Sequence, residues 1–196
     1  LLNSHGCGRA ATERALLDVF GTTGNLSQVN FAGKTDWHIL REALAPAGVS
    51  MPDIKARLAD YNAAVGRWLA AIVHDFPVTA CAGAPEVVSA LHTHPQVVLG
   101  LVTGNMQALA PIKLRAAGFD PAIFSVGAYG SEGWERAMLP PLALERAIEH
   151  NGAAFRSDRV VIIGDTPDDI MCAASISART IAVATGPFTT AQLRAY

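Results

Sequence analysis

Cysteine is scarce. Cys7, Cys81 and Cys172 are the only three in 196 residues, and none sits in a C-x-x-C or C-x-x-H spacing. That excludes a disulfide framework and a zinc site of the usual ligand pattern. An odd, scattered set fits a reducing cytoplasm, with each thiol acting as a small buried hydrophobe. Charge is also thin, at 16% of residues with a net of −2. No global positive field therefore draws the chain to nucleic acid or to a membrane. No apolar run is long enough to cross a bilayer, because Gly, Pro or His interrupts each one. No G-x-G-x-x-G follows a strand-like run, which removes the dinucleotide-binding fingerprint. His92 and His94 sit just before Pro95 at a helix end, where imidazolium is favourable, and do not read as a metal pair. Lysine disappears after Lys113. What remains is 51% hydrophobic, the composition of a folded globular chain.

Two textures divide the sequence. Residues 6–77 read as helical throughout. Apolar positions recur at helical spacing over 11–20. A helix over 36–45 follows Thr35 as N-cap, and 52–74 is a long amphipathic stretch carrying Ile54, Leu58, Tyr61, Val65, Leu69 and Ile72. From Thr79 onward, strands and helices alternate. Strands are expected at 97–102, 123–126, 160–163 and 180–184, with helices at 84–92, 106–117, 140–150, 167–175 and from 189. The continuous apolar run 97–102 suits a strand buried on both faces. This alternation implies parallel sheet with right-handed crossovers and a ligand site at the carboxyl ends of the strands.

The residues just past two strands therefore carry the chemistry. Strand 97–102 leads into Thr103-Gly104-Asn105, and strand 160–163 into Gly164-Asp165-Thr166-Pro167-Asp168-Asp169. A hydroxyl beside helix-start amides forms a phosphate cradle. Asp165 and Asp169, four residues apart, gather carboxylates suited to a hard cation such as Mg²⁺. The same D-T-P-D-D run also reads as a helix cap, with acids placed favourably against the helix dipole. Trp37, Trp68 and Trp134 read as packing residues.

The ordered pair V-V-L-G-L-V-T-G-N and V-V-I-I-G-D-T-P-D-D-I resembles motifs II and IV of the haloacid dehalogenase (HAD) superfamily, especially its phosphoglycolate-phosphatase-like members. The resemblance implies an α/β fold: a Rossmannoid parallel-sheet core, residues 1–5 and 78–196, with an inserted α-helical cap, residues 6–77. It implies a Mg²⁺-dependent phosphomonoester hydrolase acting on a small phosphorylated metabolite through an aspartyl-phosphate. Thr103 would bind the transferring phosphoryl group, with Gly104 and Asn105 contributing to substrate binding. Asp165 would ligate Mg²⁺, with Asp169 doing so directly or through water. The family's basic residue, normally Lys, falls on Arg136, with Arg146 as fallback; a guanidinium can meet that electrostatic duty. Gly33-Lys34-Thr35-Asp36 resembles a cap loop of these members, and Lys34 is placed to reach an anionic substrate group.

Set against that family, the opening Leu1-Leu2-Asn3-Ser4-His5-Gly6 resembles the stretch immediately after the nucleophile motif Asp-x-Asp-Gly-Thr. The expectation is that the first core strand and a carboxyl-terminal strand are missing from the 196 residues, leaving a gap between strands 97–102 and 160–163. The chain as written would then be inactive. Asn3 and His5 would lie near the site. Two other readings stay open: a non-catalytic degenerate member, and a HAD hydrolase of C–P or C–halide bonds, with Lys34 as a Schiff-base candidate in the former chemistry.

Overall fold

The computed structural model describes residues 1–196. Four α-helices fill the first part. α1 (Cys7–Phe20) stops at Gly21, which adopts φ +71° so that its N–H closes on the Leu17 carbonyl. α2 (Asp36–Leu44) starts from Thr35, whose Oγ1 accepts the His38 N–H at 3.2 Å. The amphipathic stretch 52–74 divides into α3 (Met51–Ala56) and α4 (Leu58–Ile72). Arg57 leaves helical geometry between them. Its guanidinium donates to Val19 O at 3.2 Å and lies over the Phe20 ring. That placement sets a cation against the carboxyl end of α1, where helix carbonyls welcome it.

The faces of these helices build the main core. Leu16, Leu40, Leu44, Ile54, Tyr61 and Leu69 are buried there. Tyr61 brings a hydroxyl into it and satisfies that group by donating to Thr12 Oγ1 at 3.3 Å. Met106 and Leu109 join the same core from the other half of the chain.

β1 (Leu2–Asn3) pairs antiparallel with β2 (Thr79–Ala80), bringing the two ends of the helical stretch together. Next come α5 (Ala84–His92), β3 (Gly100–Thr103), α6 (Leu109–Ala116), β4 (Val126–Tyr129), α7 (Leu139–Asn151), β5 (Val161–Gly164), α8 (Pro167–Ala173), β6 (Arg179–Ala182) and α9 (Thr190–Leu193). β3 and β4 are parallel, from Gly100↔Val126 to Thr103↔Tyr129. β5 and β6 are parallel, from Val161↔Arg179 to Gly164↔Ala182. A smaller core of Val88, Leu114 and Phe119 sits under β3.

Three expectations shift. The strand expected at 123–126 lies at Val126–Tyr129, because Asp120 caps a 3₁₀ turn over Pro121–Ile123 by accepting the Ala122 N–H. The strand expected at 97–102 begins only at Gly100. That strand is also not fully buried on both faces: Gly100 is exposed and residues 101–103 are half-buried. The sheet consists of two-stranded pairs, and β3 makes no ladder with β5. Each strand has a ladder partner on one side only, so its other edge is unpaired.

The main core is the part whose loss the molecule should feel most. Leu69→Ala, at a fully buried α4 position, is expected to cost about 2–5 kcal/mol through lost transfer energy and a residual cavity. Urea unfolding tracked by circular dichroism measures it.

Candidate active site

The edges of β3 and β5 face each other across a cavity of about 560 Å³. Both strands end there, as the carboxyl-end rule for parallel sheets requires. Thr103, Gly104 and Asn105 line it from the β3 side, Asp165 and Asp169 from the β5 side, and Lys34 from the helical segment. Arg136 lines it from the 3₁₀ turn before α7. These seven residues thus share one cavity, though they span 136 positions of chain from Lys34 to Asp169.

Arg136 spans the gap between the two strand pairs. Its Nη2 donates to Val102 O at 3.2 Å and pairs with Asp169 Oδ1. Its Nε is buried with no acceptor. A buried guanidinium N–H without an acceptor is costly in a folded protein. Arg146 does not compete for this role. It pairs with Glu132 and donates to Gly127 O, and that carboxylate is held below its usual range chiefly by the Arg146 hydrogen bond.

Asp169 is fully engaged. Its Oδ2 accepts the Asp165 and Thr166 N–H groups at 3.0 Å each and the Thr166 hydroxyl at 2.8 Å, completing a capping box on α8. Its Oδ1 holds Arg136. The capping alternative read from the sequence is therefore physically present at this residue. Asp165 is freer, with Thr185 Oγ1 donating weakly to its Oδ2 at 3.4 Å. No group of three or more His, Cys, Asp or Glu side chains gathers to hold a metal. The donor set suits an ion held by one carboxylate, water and a substrate oxygen, which is a common magnesium arrangement.

Thr103 Oγ1 accepts both the Asn105 N–H at 3.2 Å and the Asn105 Nδ2–H at 2.8 Å. The Gly104 and Asn105 amides do not open a helix, contrary to the phosphate-cradle expectation. α6 begins only at Leu109, because residues 104–106 are tied to the helical segment instead. The Asp36 N–H donates to Gly104 O at 2.7 Å, and Asp36 Oδ2 accepts the Met106 N–H at 2.5 Å. A Cβ on Gly104 would overlap the Lys34 carbonyl oxygen, so this close approach requires glycine. Thr35 Oγ1 donates to Trp134 O at 2.8 Å and Trp37 Nε1 to Ser131 O at 3.3 Å. Lys34 itself pairs with Glu42 on α2.

Asn3 and His5 flank Ser4, which lines the cavity with Gly6 and Gly8, but do not line it themselves. Trp134 is 55% exposed and is not a packing residue. Asp36, named only within a cap loop, and Lys113 are both buried at the cavity, and the sequence reading gave neither a role there. An Asp after a Thr cap, or a Lys in a short helix, gives no signal of burial.

This architecture is the α/β HAD-like fold. The profile of the HAD-hydrolase-like family matches residues 139–196. Among solved structures, CbbY from Rhodobacter sphaeroides in complex with phosphate is similar at TM-score 0.70 and 17% identity, over 97% of this chain and 84% of that one. A hydrolase from Pseudomonas syringae is similar at TM-score 0.65 and 19% identity, over 100% of this chain and 85% of that one. A HAD hydrolase of family IA, variant 3, from Entamoeba histolytica gives TM-score 0.63 and 14% identity, over 99% and 84% of the two chains. No curated protein matches the sequence.

Burial pushes the Asp36 carboxyl up to about 6, against the opposing pull of Lys113 and the Met106 N–H. The folded state therefore binds this proton more tightly than the unfolded state. Its contribution to stability is present below about pH 4 and is lost as pH rises through about 6. The unfolding free energy of the unmodified chain, minus that of Asp36→Asn, is expected to fall by roughly 2–3 kcal/mol between pH 4 and pH 7. Paired urea titrations across that range measure it.

Proposed function

We propose that the chain is a HAD-type phosphomonoester hydrolase of the phosphoglycolate-phosphatase-like kind, its cavity receiving the phosphoryl group of a small phosphorylated metabolite. The observation that carries this is one cavity lined together by Arg136, Thr103 and Asp165. A cation, a hydroxyl donor and a free carboxylate at the tips of parallel strands are what a phosphoryl group with a bridging metal needs. The phosphate held by the similar CbbY structure is consistent with it.

In this reading Thr103 and Arg136 donate to phosphoryl oxygens and stabilise the charge that builds there. Asp165 would hold Mg²⁺, with Asp169 in reach only through water while it keeps Arg136 and the α8 cap. The ion would neutralise phosphoryl charge. The helical segment 6–77 acts as a cap that excludes water and reads the substrate. The attacking carboxylate belongs to an Asp-x-Asp-Gly-Thr segment, which the 196 residues do not contain. Its oxygen would attack phosphorus, the bond to the leaving alcohol would break, and water would then release phosphate from the aspartyl-phosphate. The chain by itself supplies the binding shell. Three free cysteines fit work in a reducing cytoplasm. The Lys34–Glu42 pair disfavours a Schiff-base amine at Lys34.

Joining an Asp-x-Asp-Gly-Thr strand upstream of Leu1 is expected to give Mg²⁺-dependent phosphate release from at least one member of a phosphomonoester panel. Thr103→Val and Arg136→Met in that protein should each lower kcat/KM by about 10²–10³-fold. Absence of release across the panel with Mg²⁺ would count against a hydrolase.

A further inference from the structure

Lys113 has no part in the proposed hydrolysis, yet it is 7% exposed and lines the same cavity. A charged ammonium is costly to bury unless its position serves something. Its Nζ donates to Asn105 Oδ1 at 2.6 Å. Space has been left for it: a Cβ on Gly8, in the first turn of α1, would sit 2.7 Å from that Nζ. Asp36 is the nearby counter-charge, and burial lowers the Lys113 pKa against that pull.

The contact has a directional consequence. An amide oxygen accepts and an amide nitrogen donates, so Lys113 dictates which way the Asn105 side chain faces. With Oδ1 turned to the ammonium, Nδ2 must turn to Thr103 Oγ1, where it donates at 2.8 Å. The backbone N–H of Asn105 donates to the same oxygen. Two donors occupy the lone pairs of the hydroxyl, so its own proton is left to donate. No protein acceptor takes it, and the cavity is where it can go.

We infer that Lys113 is a positioning residue: through Asn105 it holds Thr103 as a hydrogen-bond donor toward an anionic oxygen in the cavity. This rests on the phosphate reading of that cavity. Lys113 does not touch the anion. Asn105 accordingly acts as a relay rather than a substrate ligand.

The test uses the full chain, Mg²⁺ and inorganic phosphate, with binding measured by calorimetry. Thr103→Val and Lys113→Met are each expected to weaken binding roughly tenfold, the effect of one hydrogen bond to a charged group. In the Thr103→Val background, Lys113→Met should change nothing further. Additive losses would mean that Lys113 meets the anion directly, overturning the relay. Asn105→Asp guards against a folding artefact. It keeps an acceptor for Lys113 but presents only acceptors to Thr103, so the hydroxyl turns inward. Phosphate affinity should fall about tenfold while the melting temperature holds or rises; retained affinity sinks the inference. Side-chain NMR reads the relay without ligand. The Asn105 Nδ2 protons should be protected from exchange in the unmodified chain and lose protection in Lys113→Met, and equal protection in both overturns it. If the unmodified chain binds no phosphate, or Thr103→Val binds it unchanged, the phosphate reading itself fails. If Thr103→Val weakens binding and Lys113→Met does not, only the relay fails.

Discussion

One guanidinium holds the candidate site in shape. β3 and β5 share no ladder, so no backbone hydrogen bond fixes their tips relative to each other. Arg136 does so instead, donating to the β3 edge at Val102 O and pairing with Asp169 at the start of α8. A buried ion pair adds little net stability over apolar packing, but breaking it is expensive. Its contribution here is therefore position rather than stability. The same side chain lines the cavity, so the group that sets the geometry also puts a positive charge on its wall.

The second constraint is the seam between the helical segment and the β3 tip. The Thr35–Trp37 run closes onto Gly104, Met106, Ser131 and Trp134 through backbone and side-chain hydrogen bonds. Burying Asp36 there raises its pKa, an electrostatic cost that the Met106 N–H offsets only in part. The seam pins the loop that presents Thr103, and it places Lys113 behind Asn105. Packing in the helical half and the shape of the candidate site at the strand tip are thus coupled through a few polar contacts, alongside the apolar bridge of Met106 and Leu109.

Much of this was legible in the chain. The change from 3.6-residue periodicity to alternating apolar runs located the helical and α/β parts. The apolar strands ending in Thr103 and Asp165 pointed to the candidate site, because parallel strands present their carboxyl ends to ligands. Thr35 was readable as a cap because a hydroxyl before an amphipathic run has one obvious backbone partner. Arg136 was legible only through the family resemblance, which implies a basic residue between the two motifs. Strand limits slipped where a 3₁₀ turn or a glycine entered, since apolar runs do not mark where a ladder starts. Trp134 misled because an aromatic residue carries no sign of whether a neighbour will cover it.

By itself, the sequence determined element types, their order and the chemical kinds at the strand tips, since these stem from local periodicity and from side-chain identity. Only the tertiary structure decided which groups are spoken for. Asp169 is consumed by a helix cap and Arg136, Lys34 by Glu42, and Lys113 is drawn into the site from a helix that looked ordinary. Whether a polar atom is free or satisfied depends on partners brought from distant positions, and no local pattern records that pairing.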